Sequence, residues 1–197
     1  TPSASSAASD VYKRQRKGKY NSDGSSNVIP GSNIPMAALG VWILWLGWFG
    51  FNGGSELVVS NEAAAIAVSQ VFLNTNIAAA GGVVATLITS QLATKKMDIT
   101  MAMNGAIAGL VAITAAPSAP TAGAALMIGA VGGIIVYFSL IILDRRFGID
   151  DPVGAISAHG VVGIWGVMAV VFTGGSLVDQ FVGCLLYTSD AADEADG

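Results

Sequence analysis

Cysteine, histidine and charge are all scarce in this chain. Its 197 residues include one Cys, Cys184, and one His, His159. A zinc site needs three or four ligands, so Cys and His alone cannot build one here. A lone Cys also excludes an internal disulfide framework and leaves the redox compartment unreadable. Only 11% of the residues are charged, against about 25% in a soluble domain. The net charge of −4 and the scattered basic residues exclude a nucleic-acid partner. No phosphate-binding glycine loop, zinc-protease helix or nucleophile elbow is present, so neither an enzyme nor a cofactor is expected. Apolar residues, at 53%, and Gly, at 25 positions, are plentiful, and the mean hydropathy is +0.64. Such a balance suits neither an ordinary soluble domain nor a disordered one.

The charges that do occur leave long gaps. None lies between Asp23 and Glu56, Glu62 and Lys95, Asp98 and Asp144, or Asp151 and Asp179. A helix needs about 20 apolar residues to cross a bilayer. Three of the gaps fit one crossing each. The third is too long for one and is broken by Thr114–Thr121, where Pro117 and Pro120 stand among small residues. The pattern predicts an all-α membrane protein with five spanning helices at about 35–55, 63–92, 98–115, 122–143 and 152–173. The second is longer than a perpendicular crossing requires, which implies tilt or an interfacial turn.

The connections test that count. Numbering sides alternately puts Lys13, Arg14, Arg16, Lys17, Lys19, Lys95, Lys96, Arg145 and Arg146 on one side. The opposite loops hold Glu56, Glu62 and Asp179 without Lys or Arg. Lys and Arg mark cytoplasmic loops, so the first helix is expected to start in the cytoplasm and the protein to sit multi-pass in the plasma or inner membrane. Residues 16–34 then form a cytoplasmic loop and 35–183 the transmembrane region. The strings Ser6–Gln15 and Cys184–Glu194 lack apolar periodicity. They resemble translated sequencing-adapter read-through, and 1–15 and 184–197 are set aside from fold reasoning on that reading. Disordered tails are the alternative.

Within the first helix, Trp48, Phe51 and Ser55 share one face at i, i+3 and i+7. Aromatic faces attract cations, but spacing alone favours a membrane-interface belt. The last helix opens on Asp150-Asp151-Pro152, with Asp151 placed to cap it and Pro152 at its first position. About 12 Å further along stands His159, an ionisable side chain at bilayer depth in an apolar, small-residue surround. Such groups usually face an interior pathway. A neutral His bonded to a neighbouring helix is the competing reading, and position alone does not choose. Asn74, Thr75, Asn76 and Asn104 read as interhelical hydrogen-bond glue. Gly105 with Gly109, Gly129 with Gly133, and Gly160, Gly163 and Gly166 read as faces for close helix approach.

Three stretches carry a family likeness: Gly47-Trp48-Phe49-Gly50-Phe51-Asn52, Asn104-Gly105-Ala106-Ile107-Ala108-Gly109-Leu110-Val111, and Asp150-Asp151-Pro152-Val153-Gly154-Ala155 leading to His159-Gly160. By these the chain resembles the ammonium transporter family (Amt/Mep/Rh), nearer its Amt/Mep branch, from about Asn33 to Thr173. The resemblance implies an eleven-helix fold built on two inverted five-helix repeats, of which this chain is the second. It also implies a homotrimer with one pore per subunit, ammonium or ammonia as substrate with methylammonium as analogue, and a PII-type regulatory protein as a possible cytoplasmic partner. Carried over by position, Trp48 and Ser55 resemble the outer recruitment residues and Phe51 one member of a phenylalanine gate. His159 resembles the second of two pore histidines. Leu44, Ile107 and Ala155 are similar to apolar pore-lining positions, and Asp151 to the cytoplasmic-end carboxylate. An ammonium sensor and an Rh-type gas channel are alternatives within the same family.

Overall fold

The computed structural model describes residues 16–193, with side chains through Leu185. The leading segment 1–15, with Lys13 and Arg14, lies outside the described residues. Helices dominate: α1 Ile34–Gly54, α2 Glu62–Thr94, α3 Ile99–Ile113, α4 Ala122–Arg146, α5 Val162–Ala169 and α6 Leu177–Asp193. A π-helical turn, Ile156–Val161, leads into α5, and a 3-10 turn, Val170–Thr173, comes directly after it. Among the described residues four runs are long and apolar enough to cross a membrane: α1, α2, α4 and the composite Ile156–Thr173. With 15 residues, α3 spans only about 22 Å, less than a hydrocarbon core of about 30 Å.

Polar residues set the helix starts. Asn33 and Asn61 each accept a backbone N–H three residues on, from Met36 and Ala64, at 2.9 Å. Asp98 accepts from Thr100 at 2.7 Å and Thr121 from Ala124 at 3.3 Å. These groups satisfy N–H donors that a helix start leaves open. At the other end of α2, Lys95 adopts a left-handed conformation (φ 59°) and stops the helix.

The core lies where α2, α3 and α4 meet, and small residues set its spacing. A Cβ built on Gly109 or Gly129 would overlap the Ala78 carbonyl, and one on Gly82 would overlap the carbonyl of Gly105. Ala78, Ala79, Ala108, Leu110 and Val136 are fully buried around this contact. Thr86 Oγ1 lies 2.7 Å from the Gly82 carbonyl of its own helix and 2.9 Å from the Gly133 carbonyl of α4. Asn74 closes the α3–α4 hairpin, donating to the carbonyls of Pro117 and Pro120 at 2.9 and 2.8 Å. Thr75 accepts instead from Asn52 of α1. Asn76 is exposed, so the glue reading does not extend to it within this chain. By contrast α1 lies at the edge: of its residues only Asn52 and Gly53 are buried, while Trp42 is 67% and Leu46 71% exposed. Water would not tolerate such a surface, and lipid does.

Two expectations about the last spanning segment need correction. It does not run unbroken over 152–173, and Asp151 is not the residue next to its first turn. Residues 151–154 form a turn in which Gly154 takes φ +71°, and Pro152 lies in that turn. The glycine is required twice over, because a Cβ there would also overlap Asn104 Oδ1. From before the turn, the Asp151 carboxylate reaches the N–H groups of Ile156 and Ser157, at 3.2 and 2.9 Å. In addition, α6 comes after Gly174 and Gly175, where no helix is expected from the charge gaps. It takes in residues 184–193, part of the trailing string set aside on sequence grounds.

The segment before α1 is tied to the same end of the bundle by ion pairs. The Arg16 guanidinium meets the buried Asp150 carboxylate in a two-pronged contact, at 2.8 and 2.7 Å. Lys19 Nζ lies 2.8 Å from Asp144, which also accepts from Tyr20 and Ser26. The Arg16 hydrogen bonds hold the Asp150 carboxyl below the ordinary carboxylate range.

Packing and pairing can each be tested by one substitution. Gly129→Ala forces α2 and α4 apart and is expected to cost about 1–3 kcal/mol, measured as a lowered thermal midpoint of the complete protein in detergent. Arg16→Gln leaves Asp150 buried without its partner. The expected cost at neutral pH is about 1–3 kcal/mol, between an exposed and a fully buried pair, because the guanidinium is 35% exposed and screened by solvent. A depressed folded-state pKa contributes stability above the ordinary carboxyl value of about 3.9. That contribution begins to fade below about pH 4 and is lost as pH falls through the lower folded-state value, where wild-type and variant melting curves should meet.

Candidate functional site

His159 stands in the π-helical turn Ile156–Val161. Such turns insert an extra residue into a helix and rotate the facing of the residues beyond it; they recur at functional sites. Below His159, Ser157 is fully buried and its hydroxyl meets that of Ser139 on α4 at 3.0 Å. His159 itself is exposed at the chain surface, not enclosed among small neighbours as its sequence context suggests. One face is covered: the Trp48 ring stacks on the imidazole with centroids 6.3 Å apart and planes 17° from parallel.

Trp48 is fixed from behind. Its indole N–H donates to Thr114 Oγ1 at 2.8 Å, and the Thr114 hydroxyl donates to the Leu110 carbonyl at 2.7 Å. Phe51 meets the same indole edge-on, with centroids 6.0 Å apart at 65°, and is 63% exposed. One turn beyond, Ser55 is exposed and donates back to the Phe51 carbonyl at 2.9 Å. The structure thus separates the two residues expected to act together at an outer mouth. Trp48 packs with His159, whereas Ser55 stands past Phe51 and two turns away. The reason is the register of α1: i and i+7 share a face but lie about 10 Å apart along the axis.

The remaining expected residues are less concentrated. Leu44, one turn before Trp48, is 53% exposed on α1. Ala155 is half-buried at the entry to the π-helical turn. Ile107 is 8% exposed and sits in the core of the bundle, with little access to the open face that carries His159. Asp151 secures the backbone of the turn through the N–H groups of Ile156 and Ser157. Among the described residues no cluster of three His, Cys, Asp or Glu side chains could hold a metal.

The surroundings of the stacked pair are open and smooth. Gly47 and Gly50 of α1, with Gly160 and Gly163 beside His159, have nothing within 4 Å of where a Cβ would stand. Gly166, in contrast, packs on the backbone of Val111 and Ala112. The three glycines read as one face are therefore divided, two toward the open surface and one toward the core. Sequence reasoning did not single out Thr114 or Asn52. Asn52 is 2% exposed and donates to Thr75 at 3.0 Å, while its Oδ1 is buried with no hydrogen-bond partner. The available signal was the i, i+4 spacing of Trp48 and Asn52, two donors on one edge of an otherwise apolar helix.

The profile of the Ammonium Transporter Family matches residues 6–192. Ammonium transporter Amt2 of Archaeoglobus fulgidus is 45% identical over 162 residues, covering 82% of this chain and 34% of that protein. The ammonium transporter of Bacillus subtilis is 39% identical over 137 residues, 70% of this chain and 33% of its own length. Among solved structures, a sensor Amt protein superposes with a TM-score of 0.86 at 37% identity, covering 95% of this chain and 48% of that one. Mep2 of Saccharomyces cerevisiae gives 0.67 at 30% identity, over 85% and 37%. The chain thus spans about a third of the length of these curated relatives.

Proposed function

This chain belongs to the ammonium transporter family and is a multi-pass membrane protein, and on that footing we propose that it supplies one wall of a pore carrying ammonium nitrogen across the bilayer. The observation that carries this reading is the open face on which His159, Trp48 and Phe51 converge among bare glycines. A face of that kind needs a complementary surface before it can sit in a membrane, since polar groups are not left against lipid. On the proposed reading α1 to α5 with their turns are five spanning helices, the second of two inverted repeats. The other repeat closes the lumen, and the complete protein assembles as a homotrimer.

The chemistry derives from the cost of burying charge. A bare cation in low dielectric costs far more than a small neutral amine. Ammonium meets Ser55 at the outer end of α1, loses water and passes the exposed Phe51 ring. It reaches Trp48 and His159, where an aromatic face steadies the cation and the imidazole exchanges its proton. The neutral amine then moves on past apolar positions, Leu44 and Ala155 among them, with Ile107 bracing the wall from behind. The proton takes its own route, which makes transport electrogenic. Asp151 holds the turn that presents His159. A PII-type protein at the cytoplasmic face is the regulatory partner this reading carries with it.

A second reading is sensing. It draws on the likeness to the sensor Amt protein, and a signalling domain in the complete reading frame would favour it. An Rh-type gas channel is distinguished by the absence of charge movement.

His159→Leu in the complete protein should lower saturable methylammonium uptake by on the order of tenfold or more and abolish the accompanying current. Saturable, electrogenic uptake equal to wild type would remove His159 from the mechanism.

A further inference from the structure

The indole of Trp48 has one polar atom, and the fold commits it. An indole N–H only donates, and a threonine hydroxyl donates one proton while accepting through two lone pairs. Here the Thr114 proton goes to the Leu110 carbonyl, at 2.7 Å, and its oxygen is left to receive Trp48 Nε1–H at 2.8 Å. The chain of donors therefore runs in one direction, from α1 through the end of α3 into the α3 backbone. Such chains polarise and strengthen one another.

Beside the apolar packing of Val41 and Trp45 on the core, this bond is, among the described residues, one of two side-chain hydrogen bonds from α1 to the other helices. Asn52 and Gly53 are the buried residues of α1, tied to Thr75 and Phe72 of α2. Neither tie sets the angle of the indole. The Trp48 plane lies within 17° of the His159 plane while its N–H points away to Thr114. Swinging the indole off the imidazole means breaking that bond.

We infer that Thr114 is a positioning residue: its hydroxyl holds the Trp48 indole flat against His159 and so sets the geometry in which the imidazole meets the permeating amine. The inference rests on the transport reading above. It predicts an effect on the transfer step at His159 rather than on capture at the outer end.

The test uses the complete protein reconstituted in lipid vesicles, with methylammonium as the probe. Thr114→Val keeps the shape and removes the acceptor. It should lower maximal flux on the order of fivefold while the half-saturating concentration stays within about twofold. Thr114→Ser should restore flux to within about twofold of wild type. Trp48→Phe breaks the same bond from the other end, and the Trp48→Phe, Thr114→Val double variant should be no worse than Trp48→Phe alone, because Thr114→Val then has no bond left to remove. Wild-type flux in Thr114→Val, a serine variant as impaired as valine, or multiplying losses in the double variant would each overturn the inference. Should Thr114→Val fail to fold, Trp48→Phe decides, and wild-type flux there overturns it. A wild-type protein that carries no methylammonium defeats the transport reading, and this inference with it. A transporting wild type beside an equally active Thr114→Val defeats the role of Thr114 alone.

Discussion

The structure depends on how closely three backbones approach. In lipid there is no hydrophobic force between helices, since acyl chains are as apolar as Leu, and association rests on tight packing and a few polar contacts. Here Ala78, Gly82, Gly105, Gly109, Gly129 and Gly133 let α2, α3 and α4 touch main chain to main chain. Thr86 and Asn74 add hydrogen bonds from α2 to α4 and to the α3–α4 hairpin. A larger side chain at any of these glycines separates the helices and removes the platform against which everything else is placed.

The elements that lean on that platform are held by fewer ties. The first helix joins it through Asn52–Thr75, Trp48–Thr114 and the Gly53–Phe72 contact. The segment bearing His159 is held by Asp151 at its start and by the Ser157–Ser139 pair within its π turn. The strap before the first helix, Arg16 on Asp150, anchors the residue just before Asp151. A tightly packed core therefore carries two elements held by fewer ties, and the stacked Trp48–His159 pair marks the seam between them. Rigid support of a site on regular elements is the general route to precise geometry.

Much of this was legible in the residues. Gaps between charges pointed to apolar helices, because a buried charge at bilayer depth is costly wherever it falls. Pro117 and Pro120 marked the hairpin for the same local reasons that break any helix. Glycine spacing pointed to close approach at Gly105, Gly109, Gly129 and Gly133. The motifs around Trp48 and His159 pointed to the family and to two of the rings that meet. The π turn was not legible, since Ile156–Val161 carries the same apolar pattern as an ordinary helix and the extra residue is absorbed by tertiary packing. The stacking of Trp48 on His159 was not legible either, because periodicity reports a shared face within one helix and not which ring of another helix meets it. Thr114, Asn52 and the Arg16–Asp150 pair escaped for a common reason: each joins residues far apart in the chain, 134 positions in the last case, and a single sequence does not record which distant polar groups meet.

The open face at His159 is, on the proposed reading, the inner wall of a shielded lumen. The most direct measurement is a density map of the complete protein in a lipid bilayer. The predicted result is a His159 ring stacked on Trp48 and facing an enclosed channel closed by chain from the complementary repeat. A map with that imidazole against acyl chains, and with Trp48 and Phe51 turned away from it, would contradict the lumen reading.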